Sequence, residues 1–278
     1  MLVVEVVLME KIPRRRDRKF LSELEASLRN ISSGLVMDIE MRGLTKSRLP
    51  MLQVSGEDQE AFTEILRRSF GLAPRDHVEL LDLPIRKGFV ERSSDRDDTL
   101  LMDVGLESSP LFQVTLGADR LRAQLFDGRE VSLRGMVARY GFFEDFPLEL
   151  RIISCDEDSR RLHVELSDRQ RNVLKEWSQL PLDRITAQDV LDSEVRSAVR
   201  RIGLERDLAT VENLSLGTHS LICKLGTDGK GLVPKLGPHL KAARLFVFHP
   251  NSRDHGERLK SKLNDSCLQR LERPSRRS

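Results

Sequence analysis

The sequence predicts a multidomain α+β protein, because the order of apolar patterns changes twice along the chain. Residues 1–75 alternate strand and helix signals in the order β-α-β-β-α, whereas residues 76–168 carry mainly strand signals. Residues 169–250 return to a mixed order, α-β-β-α-β. The 278 residues have room for two or three compact domains of about 100–150 residues each. We therefore expect an N-terminal α+β sandwich, a central all-β domain and a small C-terminal α/β domain.

The N-terminal domain, residues 1–75, has the pattern of helices packed on one face of a sheet. Apolar residues in Asp17–Ile31 recur at the spacing of one helical face, and Ser32–Gly34 ends that helix. Ser55 is expected to N-cap a second helix, with Asp58 in the position that a capping box gives to an acid. The predicted strands are Leu2–Met9, Leu35–Met41 and Met51–Val54.

The central domain, residues 76–168, consists mainly of β-rich runs separated by turn residues. Two helical segments, Ala118–Phe126 and Leu133–Tyr140, follow the third strand, and a polar turn at residues 156–159 joins the last two strands. The predicted strands are Val78–Val90, Leu100–Leu106, Leu111–Leu116, Leu148–Ile153 and Arg161–Leu166.

The C-terminal domain, residues 169–250, is predicted to begin with the helix Arg169–Trp177. Trp177, the single tryptophan, is expected to be a packing anchor between domains and not a surface for base stacking. Further helices are predicted at Thr186–Ile202 and Lys235–Ala242, with a loop at Gly226–Gly231. The predicted strands are Ala209–Leu214, His219–Leu225 and Arg244–Phe248.

Charge is distributed unevenly along the chain. Residues 77–168 contain 12 basic and 19 acidic side chains, whereas residues 169–250 contain 13 basic and 9 acidic ones. Residues 251–278 contain 8 basic and 4 acidic side chains and are expected to form a disordered tail. Because affinity for phosphates rests on Lys and Arg, we expect nucleic acid to contact the C-terminal third, with the tail adding non-specific attraction.

Three segments of the central domain resemble S1 RNA-binding domains. Pro147–Ser167 has the apolar strand, acidic turn, Arg pair and closing Leu-Ser of that family's last two strands. Met102–Gly105 is similar to the end of its second strand, and Val114–Leu121 to its third strand and the helical turn that follows. The resemblance covers residues 76–168, with an enlarged loop at Phe126–Phe146. It implies a five-stranded OB-type barrel that contacts RNA.

The resemblance is incomplete at the positions where S1 domains carry base-stacking aromatic residues. Such a stack contributes about 1–3 kcal/mol per base, yet Thr99–Met102 on the second strand contains no aromatic residue. Phe89 and Phe112, on neighbouring strands, are the candidate stacking residues. Burial in the core is the alternative for both.

The whole chain is also similar to an uncharacterised archaeal family of cytoplasmic proteins, known as a domain of unknown function. This resemblance implies homology over the full length and an archaeal source, but it supplies no reaction and no catalytic residues. The segments that carry it are Ser55–Asp58, Asp119–Leu125, Pro147–Leu150 and, above all, Cys223–Gly237.

Glycine and lysine are concentrated in Lys224–Gly231, which we call the glycine–lysine segment. Glycines expose backbone N–H groups, lysines supply charge, and a predicted helix follows, which together suit an anion. The spacing is not that of a Walker loop, and a tight hairpin without a ligand or a nucleotide site are the alternatives. The candidate RNA-binding residues are Lys224, Gly226, Gly229, Lys230, Gly231, Lys235, Arg196, Arg200 and Arg201.

A second basic run, Arg14–Arg16, precedes the first predicted helix. It is either a solvated loop or a further phosphate contact.

Other classes of function find little support in the sequence. The six histidines lack H-x-x-x-H and H-E-x-x-H spacing, so neither a metal ion nor another cofactor is expected. No nucleophile motif is present, so we expect no catalytic residues. The three cysteines lack C-x-x-C spacing, which favours a reducing cytoplasm. The apolar runs are far shorter than the roughly 20 residues that span a bilayer, and no membrane contact is expected.

The sequence therefore predicts a non-catalytic RNA-binding protein linked to translation or RNA processing. Its expected partner is single-stranded or structured RNA, with components of the ribosome or of RNA polymerase as further partners. Two other hypotheses stay open. In one, the acidic barrel is a protein-interaction module that docks on a ribosomal or transcription partner. In the other, the protein is an enzyme that uses the glycine–lysine segment on a phosphorylated substrate.

Overall fold

The computed structural model describes residues 3–82, 85–94, 98–107 and 112–250. Within these residues the fold is α+β, as the sequence predicts, and its strands form two open sheets and one closed barrel. The predicted tail, residues 251–278, lies outside the described residues. None of the helices in the described ranges is both long and apolar enough to cross a membrane.

The N-terminal unit is an antiparallel sheet of order β1-β3-β2 on which two helices pack. The first helix has the predicted bounds, because Phe20, Leu24 and Leu28 are buried along one of its faces. On the second helix, Phe62 and Leu66 enter the same core as Leu24. The elements are β1 (Val3–Val7), α1 (Asp17–Ile31), β2 (Met37–Leu44), β3 (Pro50–Gly56) and α2 (Gln59–Ser69).

The predicted N-cap at Ser55 is wrong. Strand β3 continues to Gly56, and the N-cap residue of α2 is Asp58. The carboxylate of Asp58 accepts a hydrogen bond from the backbone N–H of Val36 at 2.8 Å, so it fastens the start of α2 to the segment before β2. Gly56 has φ +136°, and an added Cβ would lie 2.5 Å from the Cα of Met37. The strand therefore turns at a position that requires glycine.

The central unit is a closed five-stranded barrel of order β4-β5-β6-β8-β7. Every pair of neighbours is antiparallel except β6 and β8, which are parallel. Alternating residues such as Leu100, Met102 and Leu116 fill its interior. The elements are α3 (His77–Asp82), β4 (Ile85–Ser94), β5 (Thr99–Asp103), β6 (Gln113–Gly117), α4 (Ala118–Leu125), α5 (Leu133–Tyr140), β7 (Pro147–Asp156) and β8 (Arg161–Leu166).

The predicted strand Val78–Val90 is in part a helix, since α3 occupies His77–Asp82 and β4 begins only at Ile85. Two hydrogen bonds fasten the start of this helix: the carboxylate of Asp76 accepts from the N–H of Glu79 at 2.8 Å, and the carboxylate of Glu79 accepts from the N–H of Arg75 at 2.9 Å. The first bond is that of an N-cap, whereas the second reaches the residue before the cap and not the N–H of Asp76, as it would in a capping box. The many β-forming residues of this segment favoured a strand, although Asp76 and Glu79 are the kind of acidic residues that begin a helix.

The C-terminal unit is a four-stranded sheet of order β10-β11-β9-β12 in which each pair of neighbours is antiparallel. The predicted α/β class is therefore wrong for this unit, because α/β domains have parallel sheets. The elements are α6 (Asp168–Gln179), β9 (Arg184–Gln188), α7 (Asp192–Arg201), a 3-10 helix (Leu204–Arg206), β10 (Leu208–Ser215), β11 (Thr218–Cys223), α8 (Gly229–Leu236) and β12 (Arg244–Phe248).

Two elements of this unit differ from the prediction. The single helix Thr186–Ile202 is replaced by strand β9 and helix α7, and β9 is buried between β11 and β12. Helix α8 begins at Gly229, earlier than the predicted Lys235, because the side chain of Asp228 caps it by accepting from the N–H of Lys230 at 3.0 Å.

Trp177 joins the barrel to the C-terminal unit, as predicted. It is 2% exposed, lies in the barrel core cluster, and meets the ring of Phe248 edge-on at 5.7 Å. The guanidinium of the buried Arg184 stacks over the Trp177 ring at 4.9 Å. Helix α6 therefore packs with the barrel, although the sequence assigned it to the C-terminal domain, and the predicted domain boundaries stay predictions.

Glu10 ties all three units together. Its side chain is almost completely buried and accepts a hydrogen bond from Lys87 of β4. Its other carboxylate oxygen accepts from the backbone N–H of Leu216, in the turn between β10 and β11, at 2.8 Å. The three units thus meet at one buried carboxylate.

Candidate nucleic-acid interface

The glycine–lysine segment does not form an open anion cradle, because carboxylates already occupy its backbone donors. The N–H of Gly229 donates to the buried Asp183 at 2.9 Å, and that of Lys230 donates to Asp228 at 3.0 Å. Gly229 is needed for packing: an added Cβ would lie 3.1 Å from both Asp183 and Val247. The segment is therefore a connection between strand β11 and helix α8, not the hairpin that was the alternative, and these two backbone donors are not available to a ligand.

The lysines around α8 nevertheless face solvent. Lys230 and Lys235 are exposed, and neither has an ion-pair partner in the described part of the chain. Lys224 lies at the other end of the segment, directly after β11, where its Nζ donates to the carbonyl of Glu205 at 3.3 Å. Gly226 and Gly231 are exposed as well. A role of these residues in binding RNA stays a prediction.

The three predicted arginines of α7 share the exposed side of that helix. Arg196 is engaged by Asp192 at 2.7 Å, whereas Arg200 reaches only the carbonyl of Arg196 at 3.4 Å. Arg201 lines a shallow cleft of about 440 Å³ that also contacts the loop Pro238–Ala243. Arg200 and Arg201 are therefore more available to a phosphate than Arg196.

A bridge between the N-terminal and C-terminal units adds residues that sequence reasoning did not connect. Arg16 donates to the carbonyl of Asp189 at 2.9 Å and to the carboxylate of Glu194 at 2.5 Å. Lys19 donates to the same carboxylate at 2.6 Å. Arg16 is thus a structural residue, and its contacts bring the start of α1 against the start of α7.

This bridge assembles what we call the basic seam. It consists of six exposed residues, five Arg or Lys and one His. The five Arg and Lys side chains have no ion-pair partner among the described residues. Sequence spacing could not show their proximity, because more than 180 positions separate the two halves in the chain. The members are Arg201, His239 and Lys241 of the C-terminal unit, which line the cleft together with Arg16, and Arg14, Arg15 and Arg18, which flank Arg16 along the chain.

Glu194 is predicted to make this bridge sensitive to acid. Burial opposes its ionisation, but hydrogen bonds from Arg16, Lys19 and the N–H of Leu191 outweigh burial and lower its pKa to about 2. A depressed carboxyl pKa contributes stability that is complete above the unfolded value of 4.5 and is lost as the pH falls toward 2. We expect Glu194→Gln to lower the free energy of unfolding by about 1–3 kcal/mol at neutral pH.

Urea titrations between pH 2 and pH 7 would test this expectation. The stability of Glu194→Gln should vary less between pH 4.5 and pH 2 than that of the wild type. Glu205→Gln, an exposed change in the same unit, is the matched control. Parallel pH profiles for wild type and Glu194→Gln would contradict the role of Glu194.

The barrel does not present Phe89 for base stacking, which corrects the prediction for this residue. Phe89 is fully buried in a small cluster with Met9 and Leu49, residues of the N-terminal unit. The ammonium groups of Lys11 and Lys87 lie 5.8 and 5.5 Å from its ring centroid. The N-terminal unit therefore covers the outer face of β4 and β5 at this end.

Phe112 is half-buried, and its ring stacks on His77 at a centroid distance of 5.4 Å. A base could reach it only beside His77, so its role in stacking stays a prediction.

On the same strand pair, Asp103 and Gly105 belong to the segment that resembles S1 domains. Asp103 pairs with Lys11 and also accepts from the N–H of Gly105 at 2.9 Å. In this chain these residues hold the N-terminal unit on the barrel.

His219 and Cys223 of the C-terminal unit are buried side chains of its core and not reactive groups. His219 is buried with one ring nitrogen 2.8 Å from the carbonyl of Val190 and the other 2.9 Å from Asn213, and burial lowers its pKa. Burial, with the nearby carboxylates of Asp183 and Asp228, raises the pKa of Cys223 to about 11, so this thiol is unreactive. Among the described residues, no three His, Cys, Asp or Glu side chains are placed to hold a metal ion.

Comparison with protein families identifies the lineage. The DUF2110 central domain matches residues 86–178, and the DUF2110 C-terminal domain matches residues 182–248, so together they cover more than half of the chain. The chain belongs to the DUF2110 family. DUF2110 is an uncharacterised family, as the resemblance in the sequence predicted, whereas the archaeal source stays a prediction. No curated protein matches the chain.

Solved structures offer only weak similarity to this DUF2110 protein. A chain of the a/eIF2alpha-aDim2p-rRNA complex from Pyrococcus horikoshii OT3 is 13% identical, with a TM-score of 0.22, over 43% of this chain and 61% of that chain. The intact alpha subunit of aIF2 from Pyrococcus abyssi is 7% identical, with a TM-score of 0.19, over 60% of this chain and 96% of that chain. The match thus spans less than two thirds of the first structure. Similarity this weak does not indicate a shared function.

Proposed function

We propose that this protein is a non-catalytic RNA-binding protein that acts in translation or RNA processing. Single-stranded or structured RNA is its partner, and the basic seam, with the lysines of α8, is the contact surface. The observation that carries the proposal is the cleft at which Arg16 meets the exposed Arg201 and Lys241, two cations that have no ion-pair partner among the described residues, with the exposed Arg14, Arg15 and Arg18 flanking Arg16 in the chain. Cations of this kind release counterions from a phosphate backbone when they bind it.

The topology of the barrel supports the same proposal. Its order, with the third and fifth strands adjacent and parallel, is β4-β5-β6-β8-β7. Five-stranded Greek-key barrels of the OB type commonly bind oligonucleotides, and we propose that this barrel is of the S1 kind. Because such barrels host many ligands, the seam and not the barrel carries the assignment of RNA.

Titration of a labelled single-stranded RNA, followed by fluorescence anisotropy at several salt concentrations, tests the proposal. We expect Arg201→Ala/Lys241→Ala and Lys230→Ala/Lys235→Ala each to weaken binding about 5–10-fold, since each of the two lost phosphate contacts contributes about 0.5–0.7 kcal/mol. The slope of log K against log salt should fall by about 0.7 for each lost contact to a single strand.

The control for charge alone is Arg92→Ala/Arg129→Ala, which removes two exposed arginines from the barrel. This variant should bind RNA as the wild type does. Equal weakening by all three double variants would reduce the proposal to a general effect of net charge. Absence of RNA binding by the wild type at low salt would overturn it.

The acidic composition of residues 77–168 favours one alternative, a protein-interaction module. In that case the barrel would dock on a basic ribosomal or transcription partner. Docking of this kind does not need an aromatic ring for base stacking, so the burial of Phe89 is compatible with it. Complex formation that survives nuclease treatment and is lost on reversing the charges of Asp156–Asp158 would favour this alternative over RNA binding.

A further inference from the structure

A cleft of about 570 Å³ opens where the three units meet, and we call it the junction cleft. It is bounded by the end of α2, the first residues of β4 and β7, helix α6 and the end of β10. Its volume lies within the range of about 300–1,000 Å³ typical of small-molecule sites. Five basic side chains and a single carboxylate, Glu149, line it; the basic ones are Arg67, Arg68, Arg86, Lys87 and Arg169.

Arg86 is the unusual member of this set. It is only 7% exposed, and no carboxylate of the described residues lies within ion-pair distance of it. Its Nη2 donates to the carbonyl of Glu79, in the first turn of α3. Its Nε is buried without any hydrogen-bond partner, and no hydrogen bond uses Nη1. The contact with Glu79 therefore accounts for only one nitrogen of the guanidinium.

A buried cation without a counterion is costly, because the protein interior replaces the hydration of the charge poorly. Burial accordingly lowers the pKa of Arg86. The charges of Glu79 and Asp82 oppose this effect, and the nearby charge of Arg67 adds to it. A bound anion would satisfy Nη1, since Nε is enclosed by the protein, and it would relieve the repulsion between Arg67 and Arg86. The fork of a guanidinium matches the oxygens of a phosphate group in particular.

The other cations of the cleft are free enough to assist. Arg67 and Arg68 share the carboxylate of Glu64 at 3.3 and 2.9 Å, and Arg169 meets Glu149 at 3.5 Å with its own side chain 83% exposed. Exposed pairs of this kind contribute little stability and can exchange partners. Lys87 is held by Glu10, so it supplies charge without needing to move.

We propose that the junction cleft is a phosphate-binding site in which Arg86 is the central contact and Arg67, Arg68 and Arg169 close around the ligand. The phosphate belongs either to a small phosphorylated molecule or to an RNA backbone. The site is separate from the basic seam, and the proposal stands whether or not the seam binds RNA.

Thermal unfolding of the full chain in inorganic phosphate, compared with chloride at equal ionic strength, tests the site. We expect phosphate to raise the Tm of the wild type, by roughly 5–10 °C at a hundredfold excess over Kd. Arg86→Met should abolish this shift. Because the lost charge has no counterion, the Tm of the free variant should stay at or above that of the wild type. Arg92→Met, an exposed change on the same strand, is the matched control.

Arg67→Met provides a second variant that leaves the core intact, since Arg67 is on the surface of α2. It should reduce the phosphate-dependent shift without removing it. A wild-type Tm that phosphate does not raise, or an equal shift in wild type and Arg86→Met, would overturn the proposal. So would a marked loss of stability in Arg86→Met with the phosphate shift retained, because Arg86 would then be a structural residue.

Anisotropy with labelled RNA distinguishes the two sources of phosphate. If the cleft holds an RNA backbone, Arg86→Met should weaken RNA binding at least tenfold and lose the phosphate shift. If it holds a small phosphorylated molecule, Arg86→Met should lose the phosphate shift but bind RNA as the wild type does. The seam variants should retain the phosphate shift in either case, so failure of the RNA proposal and failure of this one are separable.

Discussion

Replacement of Trp177 by alanine is expected to lower the free energy of unfolding by about 3–5 kcal/mol. The side chain is 2% exposed and touches Phe248, so its removal leaves a cavity where the barrel meets the C-terminal unit. The change also removes the aromatic face under Arg184, a buried cation whose remaining ion pair is Glu212 at 3.0 Å. Because the lost contacts join two units, unfolding should become less cooperative as well as easier.

Differential scanning calorimetry, with far-ultraviolet circular dichroism in urea, would measure both effects without relying on tryptophan fluorescence. Two resolved transitions in Trp177→Ala, against one in the wild type, would indicate that the units had uncoupled. Trp177→Phe should recover most of the stability, and Leu180→Ala, at an exposed position just beyond α6, should cost little. A loss below about 1 kcal/mol in Trp177→Ala would contradict the role of the residue as an anchor.

Replacement of Gly105 by valine is expected to be comparably severe, at about 3–5 kcal/mol. Gly105 has φ +77°, which a β-branched residue adopts only with strain of about 1–3 kcal/mol. An added Cβ would also lie 2.7 Å from the Cβ of Ala73 and 2.8 Å from the sulfur of Met9, and overpacking of this kind costs about 1–3 kcal/mol more. The expected result is a separation of the N-terminal unit from the barrel.

Gly128→Val is the matched control, because Gly128 has φ +76° but no atom lies within 4 Å of its added Cβ. The difference between the two variants in urea titrations isolates the steric part of the effect. Limited proteolysis near residue 75 should accelerate in Gly105→Val alone. Equal losses of stability in both variants would show that only backbone strain matters at Gly105.

The fold was most predictable where periodicity and end signals agree. Asp17–Ile31, Leu133–Tyr140 and Arg161–Leu166 have their predicted bounds, because each pairs a clear apolar face with capping or turn residues. Strand β9 was hidden because its apolar residues continue the helical spacing of α7 by coincidence. Strand β9 is extended because it pairs with β11 on one side and β12 on the other. Both partners come later in the chain, so the local sequence pattern does not show this pairing.

The candidate sites were less predictable, since they depend on contacts between distant segments. The glycines of the glycine–lysine segment suggested an anion cradle, but Asp183, 46 positions before Gly229, takes the donor. Arg14 and Arg201 each appeared as separate basic features, and only the bridge through Glu194 brings their segments together. Arg86 could not be predicted as a site residue from the sequence. Its burial and the missing hydrogen-bond partner of its Nε are visible only in the folded structure.

The position of Glu10 also has a consequence for the order in which the molecule is completed during synthesis. The sheet of β1, β3 and β2 can pair once residue 56 has left the ribosome, yet Glu10 receives its second donor from residue 216. Both oxygens of this carboxylate depend on water until Lys87 emerges, and one of them continues to do so until Leu216 follows. Final docking of the three units therefore awaits emergence of the last quarter of the nascent chain. Slow translation through that region would prolong exposure of the surfaces that Glu10 later seals.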